Sequence, residues 1–187
     1  MLDRLSIYPR VIVELGIGDG RLIEALAKRD KSSLYVGIEI EAESCRKAKA
    51  RIGISNVAIL SGSFEDIVPA FPAESIDRFI SVLPDPKFID EKKESSWRQF
   101  YELLYSKLKK GGILELVTEI TDELLRPVSN NAYEKWALGL RRSFLSIGFA
   151  LKTEYEGAPA QYSSRCLDQF RGDTMRIRMM TLELIKP

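Results

Sequence analysis

The sequence predicts an α/β protein in which a mostly parallel seven-stranded sheet carries helices on both faces and ends in an antiparallel C-terminal hairpin. Short β-branched runs alternate with stretches of helical periodicity over residues 10–147, as in a doubly wound sheet built from crossover units. Two strand-like runs then follow each other near the C-terminal end. The 187 residues, 45% of them hydrophobic, suffice for the core of one domain, and residues 1–187 are expected to form it.

Seven apolar runs are predicted as strands. They are RVIVEL at 10–15, SLYVGIEI at 33–40, VAIL at 57–60, DRFISVL at 77–83, GILELVT at 112–118, FALKTEYE at 149–156 and MRIRMMTLELI at 175–185. Helical patterns of crossover length connect most of the first five runs, so these are expected to pair in parallel. No helical pattern separates the last two, which predicts an antiparallel hairpin.

Helical spacing of apolar residues marks the connecting segments 22–26, 42–52, 97–108 and 133–147, with a short helical turn after the third strand. Ser95 and Ser96 are the N-cap candidates of the helix that contains Trp97, and the KKGG stretch at 109–112 is its predicted end. Gly148 is predicted to end the last of the four segments.

Composition excludes several kinds of chemistry. The chain has no histidine, which removes Ser/His and Cys/His nucleophiles and the usual zinc and iron ligand sets, so no metal is expected. Cys45 and Cys166 lie far apart in sequence and are expected to be buried free thiols. Lysine and arginine total 28 against 27 acids, a balance that neither indicates nor excludes a nucleic-acid partner.

The sequence offers no feature typical of membrane or secreted proteins. It has no apolar stretch of about 18 residues that could span a bilayer. The N-terminal decapeptide MLDRLSIYPR lacks the long apolar core of a secretory signal. We therefore expect a cytoplasmic protein without a membrane partner.

The stretch VELGIGDGR, which follows the first strand, predicts a nucleoside-binding turn. Its glycines are Gly16, Gly18 and Gly20, and Arg21 stands where a dinucleotide fingerprint has its third glycine. This spacing favours a small nucleoside ligand without phosphates, approached closely by the backbone. Glu39, 21 positions after Gly18 at the end of the second strand, is predicted to accept hydrogen bonds from ribose hydroxyls.

The stretch LPDPKF fixes an acid at the carboxyl end of the fourth strand. Pro84 and Pro86 bracket Asp85, and proline both lacks an N–H and restricts φ, so the strand stops on a stiff turn. Ligands of such sheets bind at this edge, which makes Asp85 a candidate for the acceptor site. The alternative is a turn acid that accepts hydrogen bonds from nearby backbone N–H groups.

These motifs together resemble the Rossmann-like S-adenosylmethionine-dependent methyltransferases. More narrowly, VELGIGDG, the acid of GIE, PDP, KKGG and VTE are similar to the tRNA (guanine-N7-)-methyltransferases over about residues 11–126. The resemblance implies S-adenosyl-L-methionine as cofactor and tRNA as substrate. It implies that the cofactor residues are Glu14, Gly16, Gly18, Gly20, Glu39 and Ser63.

The same resemblance implies the acceptor site. Asp85 and Glu119 would serve methyl transfer to guanine N7, with Thr118 beside them; N7 carries an in-plane lone pair and no proton, so the reaction needs alignment rather than a general base. Residues proposed to contact RNA are Lys87, Lys92, Lys93, Arg98, Asp168 and Arg171, with Arg165, Arg176 and Arg178 as further basic candidates. The family usually has Trp at Lys87 and an acid at Arg171.

Two other functions are compatible with the same residues. One is a methyltransferase of this fold that acts on a small metabolite, for which the near-neutral charge is natural. The other is a non-catalytic RNA-binding subunit that keeps the fold; the intact glycine turn and Glu39 argue against it.

Overall fold

The computed structural model describes residues 5–90, 93–122 and 124–187, so Lys92 lies outside the described residues. The strands are β1 (Arg10–Leu15), β2 (Ser33–Glu39), β3 (Val57–Ser61), β4 (Ile76–Val82), β5 (Leu108–Thr121), β6 (Ala150–Glu156) and β7 (Ile177–Ile185). The helices are α1 (Arg21–Arg29), α2 (Ala42–Arg51), α3 (Phe64–Ile67), α4 (Glu94–Lys107), α5 (Asn130–Ile147) and α6 (Arg165–Arg171). Two 3₁₀ turns span Val68–Ala70 and Pro86–Phe88.

The strands form one seven-stranded sheet in the order β3-β2-β1-β4-β5-β7-β6. Strands β1 to β5 pair in parallel, whereas β7 is antiparallel to both of its neighbours. The predicted fold class is therefore confirmed. Because strand order reverses between β1 and β4, a crevice opens at the carboxyl ends of these two strands, where ligands of α/β sheets bind.

Helices cover both faces of this sheet. On one face, Trp97 and Tyr101 of α4 pack with Phe144 of α5 against buried residues of the central strands. On the other face, Ile23 of α1 packs with Ala48 of α2, and Leu167 of α6 packs beside β4 and β5. Burial of these apolar side chains on both faces holds the carboxyl ends of the strands in fixed register.

The connection between β6 and β7 differs from the predicted hairpin. The two strands do pair in antiparallel fashion, but α6 lies between them, with Ser164 as its N-cap. The helix is short and buries only Leu167, so its sequence carries too little apolar periodicity to reveal a helix. The hairpin prediction was wrong about the connection and right about the pairing.

The boundary between α4 and β5 also differs from the prediction. Helix α4 begins at Glu94 after Lys93, so neither Ser95 nor Ser96 is its N-cap. The KKGG stretch lies inside β5 rather than at the helix end. Gly111 has a φ of 78° there, and the pairing with β4 shifts between Ile76 and Arg78. The glycines therefore accommodate a bulge rather than a helix terminus.

Candidate functional site

The glycine turn between β1 and α1 leaves open space in front of its backbone. Gly16 and Gly18 have φ values of +75° and +52°, and a Cβ on either would meet no other atom within 4 Å. Gly20, the N-cap of α1, has a φ of +72°, and a Cβ there would lie 3.0 Å from Ile52 Cδ1. Gly16 and Gly18 thus give a ligand access to the main chain, while Gly20 serves the packing of α1 on α2.

Glu39 ends β2 beside this turn and is bonded to it. Its Oε2 accepts a hydrogen bond from the backbone N–H of Gly18 at 2.7 Å, and its Oε1 accepts one from Glu41 N–H at 2.8 Å. The residue is only 7% exposed. Each carboxylate oxygen has a second lone pair, so Glu39 can hold the turn and still accept from a ligand.

A cavity of about 510 Å³ opens at this edge of the sheet. It lies against the glycine turn, β1, β2 and the end of β4, and it is bounded further by side chains of α2 and by the N-terminal end of α6. Its lining residues are Glu14, Gly16, Ile17, Gly18, Asp19, Leu22, Glu39, Ser44, Lys47, Arg51, Val82, Leu83, Ser164, Arg165 and Cys166. The cavity therefore occupies the crevice that the strand order creates.

Glu14 contributes a buried acid to the cavity. It is 4% exposed, and its Oε2 has no hydrogen-bond partner in the described part of the chain. Burial raises the pKa of Glu14 well above its ordinary value, and the nearby carboxylates of Asp19 and Glu39 raise it further. A cationic group that entered the cavity would supply the missing partner and favour the ionised form. These carboxylate acceptors thus fit the ammonium group of an amino-acid ligand.

Ser63 lies at the end of β3 and does not line this cavity. Its hydroxyl caps α3 by accepting a hydrogen bond from Glu65 N–H at 3.1 Å. This contact gives the side chain a structural role, and its predicted role beside the adenine stays a prediction.

The turn after β4 is restrained as expected, but the side chain of Asp85 lies outside the cavity wall. Leu83, a bulky residue, has a φ of 51°, an uncommon conformation for such a side chain. Its N–H donates to the carbonyl of Val117 at 2.7 Å. Asp85 is exposed, and its Oδ1 accepts a hydrogen bond from Lys87 N–H at 2.9 Å, which caps the following 3₁₀ turn. The alternative, that Asp85 is a turn acid bonded to backbone N–H groups, therefore accounts for its hydrogen bond with Lys87.

Two polar side chains at the end of β5 lack partners. Thr118 is fully buried with no partner for Oγ1, and Glu119 has none for Oε2 among the described residues. Burial raises the pKa of Glu119 to about 7. Buried polar atoms are nearly always paired, so this pair marks a place where a polar ligand would be stabilised.

The two side chains nevertheless point to opposite faces of the sheet, since they are successive strand residues. Val82 of β4 pairs with Val117 of β5, which puts Glu119 on the face of Val82 and Thr118 on the other face. Val82 lines the cavity, so Glu119 is the member of the pair that shares the cavity's face.

Most residues predicted to contact RNA have partners inside the protein. Lys87 lies 3.7 Å from Glu65 and over the ring of Phe88, and Lys93 lies 3.5 Å from Asp90. Both lysines remain exposed at more than half of their side-chain surface. Exposed ion pairs of this kind are weak and could exchange for phosphate contacts.

Arg98 and Arg171 make several bonds within the protein, and their predicted RNA contacts stay predictions. Arg98 bonds Glu94 and Glu102 on its own helix, and it donates to the hydroxyl and carbonyl oxygens of Ser146 on α5. Arg171 donates to the carbonyl oxygens of Pro159 and Tyr162, both at 2.6 Å. These bonds use several guanidinium donors of each residue within the fold.

Three of the remaining charged candidates near the C-terminus are also paired. Asp168 lies 3.7 Å from Arg21 and 3.8 Å from Arg171. Arg176 precedes β7 and pairs with Asp173. Arg178, within β7, binds Glu156 and stacks on Tyr133. Arg176 therefore lies outside the strand that carries Arg178.

Sequence reasoning missed two parts of the cavity wall. Lys47 and Arg51 of α2, which the sequence motifs did not assign to a site, line the cavity together with Ser44. Arg165 and Cys166 line it from α6, and Cys166 is exposed rather than buried. The i, i+4 spacing of Lys47 and Arg51 was a usable signal, because it puts both on one side of the helix. No comparable local signal placed α6 at the cavity.

No helix among the described residues is long and apolar enough to cross a membrane. The same residues contain no cluster of three or more histidine, cysteine or acidic side chains that could hold a metal ion.

Comparisons with known proteins agree with this architecture. A family model described as "Putative methyltransferase" matches residues 9–139. The tRNA (guanine-N(7)-)-methyltransferase of Campylobacter fetus subsp. fetus is 30% identical over 112 residues, covering 58% of this chain and 28% of that protein. The protein of the same description from Magnetococcus marinus is 30% identical over 116 residues, covering 59% and 46%. The chain thus spans less than half the length of these curated relatives.

A solved structure extends the likeness over the whole fold. The 16S rRNA methyltransferase KamB superposes with a TM-score of 0.73 at 16% identity, covering 99% of this chain and 92% of that one. Such an identity shows the fold alone. The sheet order, the cavity at the glycine turn and a family match that spans most of the chain agree, and the chain belongs to this methyltransferase family.

Proposed function

We propose that this protein transfers a methyl group from S-adenosylmethionine to N7 of a guanosine in tRNA. The observation that carries the proposal is the cavity that Glu14, Glu39 and the glycine turn line, with Glu119, an acid that has an unpartnered oxygen, on the same face of the sheet. Curated relatives are described as tRNA (guanine-N(7)-)-methyltransferases, which supports the choice of reaction. A tRNA substrate would also suit the proposed cytoplasmic location.

The cavity residues fit S-adenosylmethionine, which supplies an activated sulfonium methyl group when bound. Glu39 would accept hydrogen bonds from the ribose hydroxyls through the lone pairs that its bonds to Gly18 and Glu41 leave over. Glu14 would pair with the α-ammonium group, which removes the cost of its unpartnered oxygen. Gly16 and Gly18 would leave room for the ligand against the main chain.

The acceptor residues would act by orientation and charge. Guanine N7 attacks through a lone pair that carries no proton, so the protein needs no general base. Glu119 is suited to accept from the N1 and N2 donors of guanine, and Asp85 is suited to offset the positive charge that develops on the ring. The missing partner of Glu119 Oε2 supports this role. Thr118 lies on the other sheet face, so the proposal gives it no contact with guanine. Alignment would supply most of the rate enhancement.

Phosphate contacts would come from the exposed lysines near the acceptor turn. Lys87 and Lys93 keep exposed side chains with weak ion pairs, and Lys92, next to Lys93 in the sequence, stays a prediction. Binding of tRNA should then weaken as salt rises, because each neutralised phosphate releases counterions.

Labelled methyl transfer to unmodified tRNA tests the proposal. We expect counts in tRNA and chain scission at the modified position after borohydride and aniline treatment, because N7 methylation weakens the glycosidic bond. Isothermal titration with S-adenosylmethionine runs in parallel. Cofactor binding without transfer to any tRNA would contradict the substrate assignment, and absence of cofactor binding would contradict the enzyme assignment and leave a non-catalytic RNA-binding subunit.

A small-metabolite methyltransferase is the second candidate. The observation that favours it is the number of basic residues already paired within the protein, including Arg98, Arg171, Arg176 and Arg178. Under this alternative the cofactor binds normally, and labelled methyl groups enter small molecules of a cell extract but not RNA.

A further inference from the structure

The amino-acid end of S-adenosylmethionine carries two opposite charges, an α-ammonium and an α-carboxylate. The inference drawn here rests on the proposed function, because it concerns how the cavity binds this end of the ligand. Glu14 provides one of the two partners, since its buried Oε2 is without a hydrogen bond in the described chain. The matching partner for the carboxylate is a cation that lines the same cavity.

Three cations line the cavity, and two of them are paired. Lys47 lies 3.1 Å from Glu43, and Arg51 lies 3.1 Å from Glu24. The third is Arg165, the first residue of α6, whose side chain is exposed at the cavity. Its side chain makes no hydrogen bond or ion pair with any other residue that the structure describes. Of these three, Arg165 can therefore meet an anionic ligand without giving up an ion pair to another described residue.

The segment that carries Arg165 is anchored to the sheet. The hydroxyl of Tyr162 donates to Oε2 of Glu115 at 2.7 Å, and both residues are 3% exposed. Arg171 bonds the carbonyl oxygens of Pro159 and Tyr162, and Leu167 is fully buried. Hydrogen bonds in a buried site hold the backbone firmly, so α6 presents Arg165 to the cavity from a fixed position.

We propose that Arg165 binds the α-carboxylate of the cofactor, opposite Glu14 at the α-ammonium, and that Tyr162 is a positioning residue that holds α6 for this contact. A guanidinium matches a carboxylate through two parallel N–H···O bonds, which are charge-assisted and directional. The assignment gives a function to the part of the cavity wall that the sequence motifs did not reveal.

A pair of ligands isolates this contact. S-adenosylhomocysteine carries both charges, whereas its decarboxylated analogue keeps the ammonium and lacks only the carboxylate. We expect Arg165→Met to raise the dissociation constant of S-adenosylhomocysteine about tenfold to a hundredfold, the range for a lost charge-assisted bond. The same variant should bind the decarboxylated analogue within about twofold of the wild type.

Three further variants complete the design. Arg142→Met removes an exposed arginine of α5 that lines a different pocket, and it should leave the affinity of both ligands unchanged. Tyr162→Phe removes only the hydroxyl bond to Glu115 and should weaken S-adenosylhomocysteine more than its analogue. Tyr133→Phe, whose hydroxyl has one long contact of 3.5 Å with Met179 O, is its control. A purely structural effect of Tyr162 would weaken both ligands equally.

The outcomes separate the two proposals. If the wild type binds neither ligand, the proposed function falls and this inference with it. If the wild type binds S-adenosylhomocysteine but no more tightly than the decarboxylated analogue, or if Arg165→Met weakens both ligands equally, only the carboxylate assignment is overturned. Circular dichroism and Arg165→Lys, which keeps the charge, distinguish lost contact from lost folding.

Discussion

The carboxylate of Glu39 bonds the backbone N–H of Gly18 at 2.7 Å, and this contact joins the end of β2 to the turn that follows β1 across 21 residues of sequence. The bond gives Glu39 two functions, since one oxygen fixes the turn while remaining lone pairs face the cavity. Removal of the side chain should therefore disturb both the shape of the turn and its ligand contacts.

We predict that Glu39→Ala raises the dissociation constant of S-adenosylmethionine about tenfold to a hundredfold, because charge-assisted hydrogen bonds are worth about 1.5–3 kcal/mol. Isothermal titration calorimetry measures the effect. Glu41→Ala is the control: it removes an N-cap that accepts from Glu43 N–H and Ser44 N–H, so it should lower helix stability without a comparable loss of cofactor affinity. Equal losses in both variants would contradict a direct role for Glu39.

Gly16→Ala should abolish most cofactor binding with a small cost in stability. Gly16 has a φ of +75° and open space where a Cβ would lie, so alanine adds backbone strain of about 1 kcal/mol and places a methyl group where the ligand would approach. Gly111→Ala is a matched control, with a φ of +78° and equally open surroundings in β5. Both variants should lose similar stability in denaturant titrations, and only Gly16→Ala should lose affinity. If Gly16→Ala binds the cofactor with unchanged affinity, the ligand does not bind against Gly16.

The glycine turn and Glu39 could be predicted because each depends on local features: positive φ at glycine, and an acid at a strand end. The glycine turn and Glu39 lie close together because β1 and β2 pair in parallel. The placement of α6 could not be predicted, since it depends on Tyr162 meeting Glu115, 47 residues earlier in the chain. Likewise, Arg98 bonds Ser146, which lies 48 residues away. The sequence around Arg98 alone favours a contact with solvent or RNA.

Glu119 should make stability and activity depend on pH in opposite directions. Burial raises its pKa from 4.5 to about 7, so between these values the folded protein holds a proton that the unfolded chain has lost. This contribution to stability is fully present below the unfolded pKa and is lost as pH rises through about 7. Its loss costs about 3 kcal/mol at pH 9, at 1.36 kcal/mol per pKa unit. Methyl transfer requires Glu119 in its ionised form, so the rate of methyl transfer should rise over the same pH range.

Urea denaturation of wild type and Glu119→Gln between pH 5 and 9 checks this prediction. The variant should be more stable than the wild type at pH 9, with a flatter pH profile, while its methyl transfer is low throughout. Glu134→Gln, an exposed acid on α5, should follow the wild-type profile. A wild-type stability that stays constant from pH 5 to 9 would contradict burial of an unpaired acid.

Asp85 should affect turnover and leave cofactor affinity nearly unchanged. Its Oδ1 caps the 3₁₀ turn by accepting from Lys87 N–H, and Asp85→Asn keeps an oxygen acceptor for this bond while it removes the negative charge. If the charge offsets the developing positive charge on guanine, the substitution should lower the rate of methyl transfer about tenfold to a hundredfold. The dissociation constant of S-adenosylmethionine should stay within about twofold of the wild type.

Asp85→Ala separates the cap from the charge. Asp85→Ala removes both. Its turnover should equal that of Asp85→Asn if only the charge matters, and it should be lower if the cap also orients the turn. Asp66→Asn neutralises an exposed acid on α3 and should leave the rate unchanged. Wild-type turnover in Asp85→Asn would reduce Asp85 to a turn cap, because the only property removed is its charge.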